Sequence, residues 1–252
     1  MEMGFMLWSV HEEAERDMET VLREASRAGY RGVEFAGYFA HSAATLRAWL
    51  TRYDLLAAGS HIAYPASKEA LDAMLSSSKE LGLESITVTA VPTELKTADD
   101  FKRRGHMLAE ISRKLGEQGI ACGYQNHDFE FVRFGELWGL DLLMREAEGS
   151  PLFLEMETFW VERCGVRAAD YIRRYAGRLR NIHLKDWTHG EAPVSCPLGD
   201  GVAPLAQICE AAERAGTKWL LVKQEHYQND APMQAMQRSA KFLSQLLQTS
   251  AQ

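Results

Sequence analysis

The order of hydrophobic and polar residues repeats along the chain as a helical pattern, a glycine and a short apolar run. The clearest case is the helical pattern Leu22–Ala28, which is followed by Gly29 and the run Gly32–Phe35. Glycine commonly ends a helix because it adopts the left-handed backbone conformation without steric cost. A short apolar run between such signals is typical of a buried strand. The pattern therefore predicts helices that alternate with strands.

Eight strands are predicted in this way, and a last helix is predicted over Met233–Leu247. The strands are Phe5–Val10, Gly32–Phe35, Ala57–Ile62, Ser85–Thr89, Ile120–Tyr124, Leu152–Met156, Leu179–Leu184 and Trp219–Val222. Strands that alternate with long helices indicate βαβ units and a parallel sheet. Eight such units in 252 residues are typical of a (β/α)8 barrel. The predicted fold class is α/β, a single (β/α)8 TIM barrel domain over residues 1–252.

A doubly wound open sheet is the second candidate fold. Such a sheet usually carries a glycine-rich phosphate loop after its first strand, but Leu7–His11 is not a GxGxxG motif. No GxxxxGK[ST] motif occurs, and no linker or change in composition marks a second domain. The barrel is therefore the better prediction.

Charge and cysteine content narrow the range of partners. With 28 Lys and Arg against 35 Asp and Glu, the net charge is −7, and no basic cluster predicts nucleic-acid binding. No apolar run approaches the roughly 20 residues that cross a bilayer, and the opening Met1–Leu7 does not resemble a signal peptide. The four cysteines lack CxxC spacing and do not resemble a disulfide framework. We expect a cytoplasmic protein, with no membrane partner; a homo-oligomer is compatible with the sequence.

Polar residues collect where the predicted strands end, which is the face of a TIM barrel that carries the active site. Alternation along a strand places residues two apart on one side, so Glu155 with Glu157 and Lys223 with Glu225 should share a face. Charged groups at strand positions are costly unless they are paired, metal-bound or solvated. The strand ends carry Trp8, Glu34, His61, Gln125, Asn126, His127, Glu155, Glu157, His183, Lys185, Asp186, Lys223, Gln224, Glu225 and His226. This convergence predicts a functional site.

Four segments resemble, in order, the xylose isomerase-like sugar phosphate isomerase/epimerase family. They are Gly29–Tyr38, Gly123–Phe131, Glu155–Trp160 and His183–Asp186. The resemblance covers nearly the whole chain. It implies a TIM barrel that binds a divalent metal ion (Mn, Mg, Co or Zn) and a small carbohydrate. The carbohydrate would be a sugar, sugar phosphate, inositol or keto-sugar derivative.

The implied metal ligands depart from the family pattern. The family presents Glu or His, then Asp, His and Glu, on its fifth to eighth strands, and these positions are Gln125, Glu157, His183 and Lys223 here. The resemblance therefore implies Glu157, His183 and Gln125 as metal ligands, although a neutral amide is a weak ligand for a hard cation. Lys223 has no lone pair to donate when protonated and repels a dication.

Three interpretations follow from Lys223. The metal site is shifted, with Glu225 or Glu155 replacing the lost ligand one pleat away. Alternatively, Lys223 takes the place of the metal, pairs with Glu157 and polarises a substrate oxygen, or acts as a base through a lowered pKa. In the third interpretation the site has decayed, and the protein is a non-catalytic carbohydrate-binding homologue or a regulator.

The expected activity is that of a sugar isomerase or epimerase, which transfers a proton next to a carbonyl. Glu157 and Glu225 are the candidate acid/base pair, and Lys223, His183 or a metal would stabilise the oxyanion. The candidate substrate-binding residues are Glu34, His61, His127, Trp160 and Lys185. The same groups would serve a lyase or dehydratase acting on a keto-inositol or 3-keto-glycoside.

The charges in the sequence argue against a phosphorylated substrate and against a nuclease function. Asp200, within Gly199–Gly201, opposes an anion, so an unphosphorylated sugar is preferred to a sugar phosphate. A DNA-repair endonuclease shares this barrel but would need a basic surface and a larger metal cluster. The net charge of −7 argues against it.

Overall fold

The computed structural model describes residues 1–90, 95–227 and 230–250. Within these ranges, eight parallel strands close into a barrel. The barrel strands are β1 (Glu2–Met6), β2 (Gly32–Phe35), β3 (Leu56–Ala63), β4 (Ser85–Ala90), β5 (Ala121–Gln125), β8 (Phe153–Glu157), β9 (Leu179–Leu184) and β12 (Trp219–Val222). Around the barrel they follow the order β1-β12-β9-β8-β5-β4-β3-β2. Two small antiparallel pairs lie outside the barrel: β6 (Arg133–Phe134) with β7 (Leu137–Trp138), and β10 (Asp186–Trp187) with β11 (Ser195–Cys196). The predicted α/β barrel is confirmed, and the doubly wound open sheet is wrong.

Helices connect the strands and cover the barrel. They are α1 (His11–Arg27), α2 (Ala43–Arg52), α3 (Lys68–Leu81), α4 (Ala98–Gly116), α5 (Gly139–Glu146), α6 (Thr158–Arg163), α7 (Ala168–Arg174), α8 (Leu205–Arg214) and α9 (Pro232–Ser250). Local signals set their ends: the Ser67 hydroxyl caps α3, and Gly82 ends it with a φ of 81°. None of the helices in the described ranges is long and apolar enough to cross a bilayer.

The main hydrophobic core lies between the barrel and its helices, while the barrel interior is filled in layers. At the amino-terminal end of the barrel strands, the interior holds a small apolar cluster of Ala58, Trp219 and Leu221. A Cβ atom on Gly32 would lie 2.5 Å from the Trp219 ring, so a glycine at this position leaves room for the indole. Because alternate residues face inward, the layers that follow Trp219 and Leu221 along β12 carry polar groups. This order places the charged residues at the carboxyl end of the barrel.

The first strand begins and ends earlier than predicted. It spans Glu2–Met6, and Leu7–Val10 forms a 3-10 helix that leads into α1. The strand is placed by its neighbours, since Phe5 pairs with Val222 and Met6 pairs with Glu34. The apolar run continues past the end of the strand because Leu7 and Val10 are also buried, although they lie in the 3-10 helix.

Candidate active site

Two glutamates and two histidines meet inside the barrel, on β2, β3, β8 and β9. We call Glu34, His61, Glu155 and His183 the histidine–glutamate quartet. The Nε2 atom of His183 lies 2.6 Å from Glu34 Oε2 and 3.5 Å from Glu155 Oε1. The Nε2 atom of His61 lies 2.7 Å from Glu155 Oε1 and 3.3 Å from Glu34 Oε2. One donor atom from each of the four residues lies within 4.8 Å of the others, so this group could hold a metal ion.

The histidines and glutamates of the quartet favour each other's charged forms. Burial alone would raise the pKa of Glu34, but the charges of His61 and His183 outweigh it and hold that pKa well below its ordinary value. Burial lowers the pKa of a histidine, yet the two carboxylates raise the pKa of His61 to about 9. The pKa of His183 is also raised, because Glu155 and Glu34 outweigh its burial.

Uncharged side chains around the quartet contact Glu155 and His183. The second oxygen of Glu155 accepts hydrogen bonds from Thr87 Oγ1 at 3.0 Å and from Asn181 Nδ2 at 2.8 Å. Gln125 Nε2 lies 2.8 Å from His183 Nδ1. Thr87 and Asn181 were missed by sequence reasoning, although both occupy inward-facing strand positions. These contacts orient one oxygen of Glu155 and one nitrogen of His183 towards the centre of the quartet.

A second charged group, one pleat nearer the mouth, alternates lysine with glutamate. We call Glu157, Lys185, Lys223 and Glu225 the lysine–glutamate cluster. Lys223 Nζ lies 3.1 Å from Glu157 Oε2 and 3.5 Å from Glu225 Oε1. Lys185 Nζ lies 2.8 Å from Glu225 Oε2 and 3.6 Å from Glu157 Oε2. Each ammonium therefore contacts both carboxylates, and the formal charges cancel.

These contacts determine the protonation of the cluster. Burial lowers the pKa of Lys223, but the charges of Glu157 and Glu225 outweigh it and raise that pKa above its ordinary value. Lys223 therefore stays protonated, which contradicts the interpretation that a lowered pKa makes it a base. Burial raises the pKa of a carboxyl group, but the charges of Lys185 and Lys223 outweigh this effect for both glutamates. The pKa of Glu157 therefore lies well below its ordinary value, and the pKa of Glu225 is lowered.

A cavity of about 320 Å³ opens beside this cluster. Lys185 and Glu225 line it, and the Lys185 ammonium lies 5.2 Å from the ring centroid of Phe159 and 5.8 Å from that of Trp160. The volume is at the small end of the range for ligand pockets, about 300–1,000 Å³. Aromatic faces beside charged hydrogen-bonding groups suit a small polar ligand with apolar C–H faces.

The other predicted substrate-binding residues occupy different places. Glu34 is fully buried in the quartet, and His61, whose side chain is 11% exposed, belongs to the quartet as well. His127 stacks on Phe129, with ring centroids 5.0 Å apart, and its backbone N–H donates to Glu130. The structure thus brings Lys185 and Trp160 to the cavity, and it places Glu34, His61 and His127 among other partners.

The loop beside the cavity is organised by Asp186, whose importance the sequence left open. Its carboxylate accepts hydrogen bonds from the backbone N–H groups of Trp187, Gly199, Gly201 and Ala203, at 2.9 to 3.0 Å. The amides of Gly199 and Gly201 therefore bind a carboxylate of the protein itself. They are therefore not free to bind an anion, and the preference for an unphosphorylated sugar stays a prediction.

Fold and site together define a (β/α)8 barrel with charged residues converging at the carboxyl ends of its strands. A family model described as xylose isomerase-like TIM barrel matches residues 22–246. The chain belongs to this family, and the resemblance seen in the sequence is confirmed. No curated protein matches the chain.

Solved structures share the fold over nearly the whole chain. A sugar phosphate isomerase/epimerase from Parabacteroides distasonis ATCC 8503 has a TM-score of 0.79 at 20% identity, covering 96% of this chain and 93% of that one. An L-ribulose 3-epimerase has a TM-score of 0.75 at 16% identity, with coverages of 99% and 95%. The IolI protein with a bound zinc atom has a TM-score of 0.76 at 14% identity, with coverages of 99% and 99%. At these identities the likeness shows the fold.

The four family metal positions do not fit a cation in this chain. Glu157 is paired with the Lys223 ammonium at 3.1 Å, and Gln125 contacts His183 through its amide. A dication between these groups would lie against a protonated lysine, and repulsion at such a distance in a buried site is large. Glu157 and Gln125 thus have other partners in this structure, and Glu157, His183 and Gln125 as metal ligands stay a prediction. His183 also belongs to the group of histidines and glutamates that could hold a metal.

Proposed function

We propose that the protein is a sugar isomerase or epimerase that transfers a proton next to a carbonyl, with the lysine–glutamate cluster as its reacting group. The observation that carries this proposal is the position of Glu225. Its side chain is 36% exposed, lines the cavity and contacts the ammonium groups of both Lys185 and Lys223. A carboxylate between two fixed cations, beside an aromatic wall, suits proton abstraction from a carbonyl compound.

The charges of the cluster match those of the reaction. With Glu225 ionised, the two lysines and two glutamates sum to zero. When Glu225 takes the proton from the carbon beside the carbonyl, the C–H electron pair moves towards the carbonyl oxygen and an enediolate forms. The cluster then carries a net charge of +1, which stabilises the enediolate oxygen. Return of the proton to the neighbouring carbon, with transfer of that carbon's hydroxyl proton to the former carbonyl oxygen, gives the isomer. Protonation of the opposite face of the same carbon by solvent, while Glu225 releases its proton to solvent, gives the epimer.

Glu157 takes a different role from Glu225 in this proposal. It is fully buried and contacts both ammonium groups, at 3.1 and 3.6 Å. Its pKa lies well below the ordinary value because Lys185 and Lys223 outweigh its burial, and, unlike Glu225, it does not line the cavity. We assign Glu157 to positioning the two lysines, and Trp160 to stacking on the C–H face of the sugar.

The test is exchange of substrate hydrogen with solvent deuterium, followed by NMR with a panel of ketoses, inososes and 3-keto-glucosides in the presence of chelator. Wild-type protein should incorporate deuterium beside the carbonyl of a ketose and form the isomer or epimer. Glu225→Gln should not, while Glu210→Gln, which changes an exposed acid on α8, should match wild type. Loss of water or of a glycosidic group would instead identify a lyase. Carbohydrate binding without exchange would identify a non-catalytic homologue, and either result would overturn the proposal.

A further inference from the structure

The quartet lies one pleat below the family metal positions and shares only His183 with them. Its carboxylates are fully buried on β2 and β8, and its histidines lie on β3 and β9. When a divalent cation displaces the protons that the histidines share with the carboxylates, two glutamates and two neutral histidines carry a formal charge of −2, which the cation cancels. The combination of imidazole and carboxylate ligands is one that zinc and related metals accept in proteins.

The distances between the ligand atoms fit a four-coordinate ion. Metal–ligand bonds of about 2.0–2.2 Å in a tetrahedron place the ligand atoms about 3.3–3.6 Å apart. Two of the four contacts between histidine nitrogens and glutamate oxygens are 3.3 and 3.5 Å, and the other two are hydrogen bonds of 2.6 and 2.7 Å. These four contacts therefore need to lengthen by less than about 1 Å to reach tetrahedral spacing, and every other pair of donor atoms lies within 4.8 Å.

A second, independent observation is that one carboxylate oxygen of the quartet itself has no hydrogen-bond partner in the described part of the chain. Glu34 is 0% exposed, and its Oε1 makes no hydrogen bond among the described residues. A Cβ atom on Gly59 would lie only 3.0 Å from that oxygen, so a glycine here leaves room for the carboxylate. A buried oxygen without a partner is costly, and coordination of the Glu34 carboxylate by a metal ion would remove that cost.

The surroundings of the quartet also resemble an outer shell. Metal-bound histidines usually pass their other ring nitrogen to a polar group, and bound carboxylates are themselves hydrogen-bonded. Here Gln125 contacts His183 Nδ1, and Thr87 and Asn181 donate to the second oxygen of Glu155. For metal binding through Nε2, the Gln125 amide turns so that its oxygen accepts the Nδ1 proton.

We propose that Glu34, His61, Glu155 and His183 bind one divalent transition-metal ion, of the zinc class, at a site displaced into the barrel from the family position. All four ligands come from the protein, as in closed structural sites, and the ion would tie β2, β3, β8 and β9 together. This site does not depend on the proposed proton transfer, because metal binding and deuterium exchange are measured separately.

The first experiment uses wild-type protein, stripped with chelator and reloaded with zinc. Calorimetry should give one ion per chain, and X-ray absorption should show two imidazole ligands. The family position contains a single histidine, His183, so one imidazole would place the ion there and overturn the proposal. Absence of stoichiometric binding would overturn it as well.

Variants then assign the ligands. His61→Asn and Glu155→Gln should weaken zinc binding by at least about 100-fold, beyond the loss that outer-shell changes cause. The control is Glu157→Gln, which removes a carboxylate of the family position that lies 3.7 Å from His183 Nδ1; as an outer-shell change it should weaken zinc binding by no more than about 10–100-fold. Zinc affinity that depends on Glu157 and not on His61 would contradict the displaced site. Circular dichroism of the metal-free variants checks that each one folds, and the imidazole count on wild type decides the question if one does not.

Discussion

The ammonium of Lys223 lies 3.1 Å from the carboxylate of Glu157, at two of the positions that the family pattern assigns to metal ligands. Lys185 contacts the same Glu157 carboxylate, and Glu225 contacts the Lys223 ammonium. This arrangement separates two features that the resemblance alone would join. The cationic group at the mouth is a pair of lysines, and the residues that could bind a metal lie deeper, around His183.

Removing Lys223 should destabilise the fold. Lys223→Met leaves Glu157 buried with one cation fewer, and breaking a buried ion pair typically costs about 3–5 kcal/mol. We expect the free energy of unfolding in urea to fall by about that amount at pH 7. Because the pKa of Lys223 is raised on folding, its contribution is fully present below the unfolded pKa and is lost as pH rises through the folded value. The difference between variant and wild type should therefore shrink only in strong alkali.

The control for this change is Arg16→Ala, which breaks an exposed pair with Glu12 whose side chains are 72% and 71% exposed. Such pairs contribute about 0–1 kcal/mol. Equal stability of Lys223→Met and wild type would show that the pair at the mouth does not stabilise the fold.

Glu225→Gln should lower the rate of proton transfer by about 10²–10⁴-fold, the usual contribution of a general base. The pKa of Glu225 is lowered because Lys185 and Lys223 outweigh its burial. Its basic form is therefore present at neutral pH, and activity should be lost only below the ordinary range of glutamate. Rate profiles of deuterium exchange against pH measure this limb, and an acidic limb near pH 6–7 would contradict the assignment.

Gly32→Ala should destabilise the barrel through a steric clash inside it. The added Cβ would lie 2.5 Å from the buried ring of Trp219, and overpacking of this kind typically costs about 1–3 kcal/mol. The matched substitution is Gly116→Ala at the end of α4, where the Cβ would lie 3.5 Å from Pro151. It should stay within about 1 kcal/mol of wild type. Thermal unfolding measures both, and equal melting temperatures would refute the close approach at Gly32.

Asp186→Ala should loosen the loop that borders the cavity. Four backbone N–H groups lose their acceptor together, and hydrogen bonds to charged groups contribute about 1.5–3 kcal/mol each. We expect faster proteolysis within residues 188–202 and a higher KM, with kcat less affected, because Asp186 does not line the cavity beside Glu225. Limited digestion followed by mass spectrometry locates the cuts, and an unchanged cleavage pattern would show that other contacts hold the loop.

Several strands were predictable to the residue. Gly32–Phe35, Leu179–Leu184 and Trp219–Val222 match the structure, because buried parallel strands are short apolar runs between turn signals. The first strand was not predictable in this way. Its apolar run continues through Leu7 and Val10, which are buried in a 3-10 helix and not in a strand. Hydrophobicity reports burial, and it does not distinguish which element does the burying.

For the candidate site, the sequence by itself determined which residues gather at the carboxyl end of the barrel and which of them share a face. It could not determine which acid meets which base. Glu155 and Glu157 lie two residues apart on one strand, yet Glu155 contacts His61, 94 positions away in the chain, and Glu157 contacts Lys223. Only the tertiary structure decided these partners, because the stagger of neighbouring strands in the closed barrel sets the depth of each side chain. The physical reason is that charge pairing depends on distances of a few ångströms between strands, which no pattern along one strand contains.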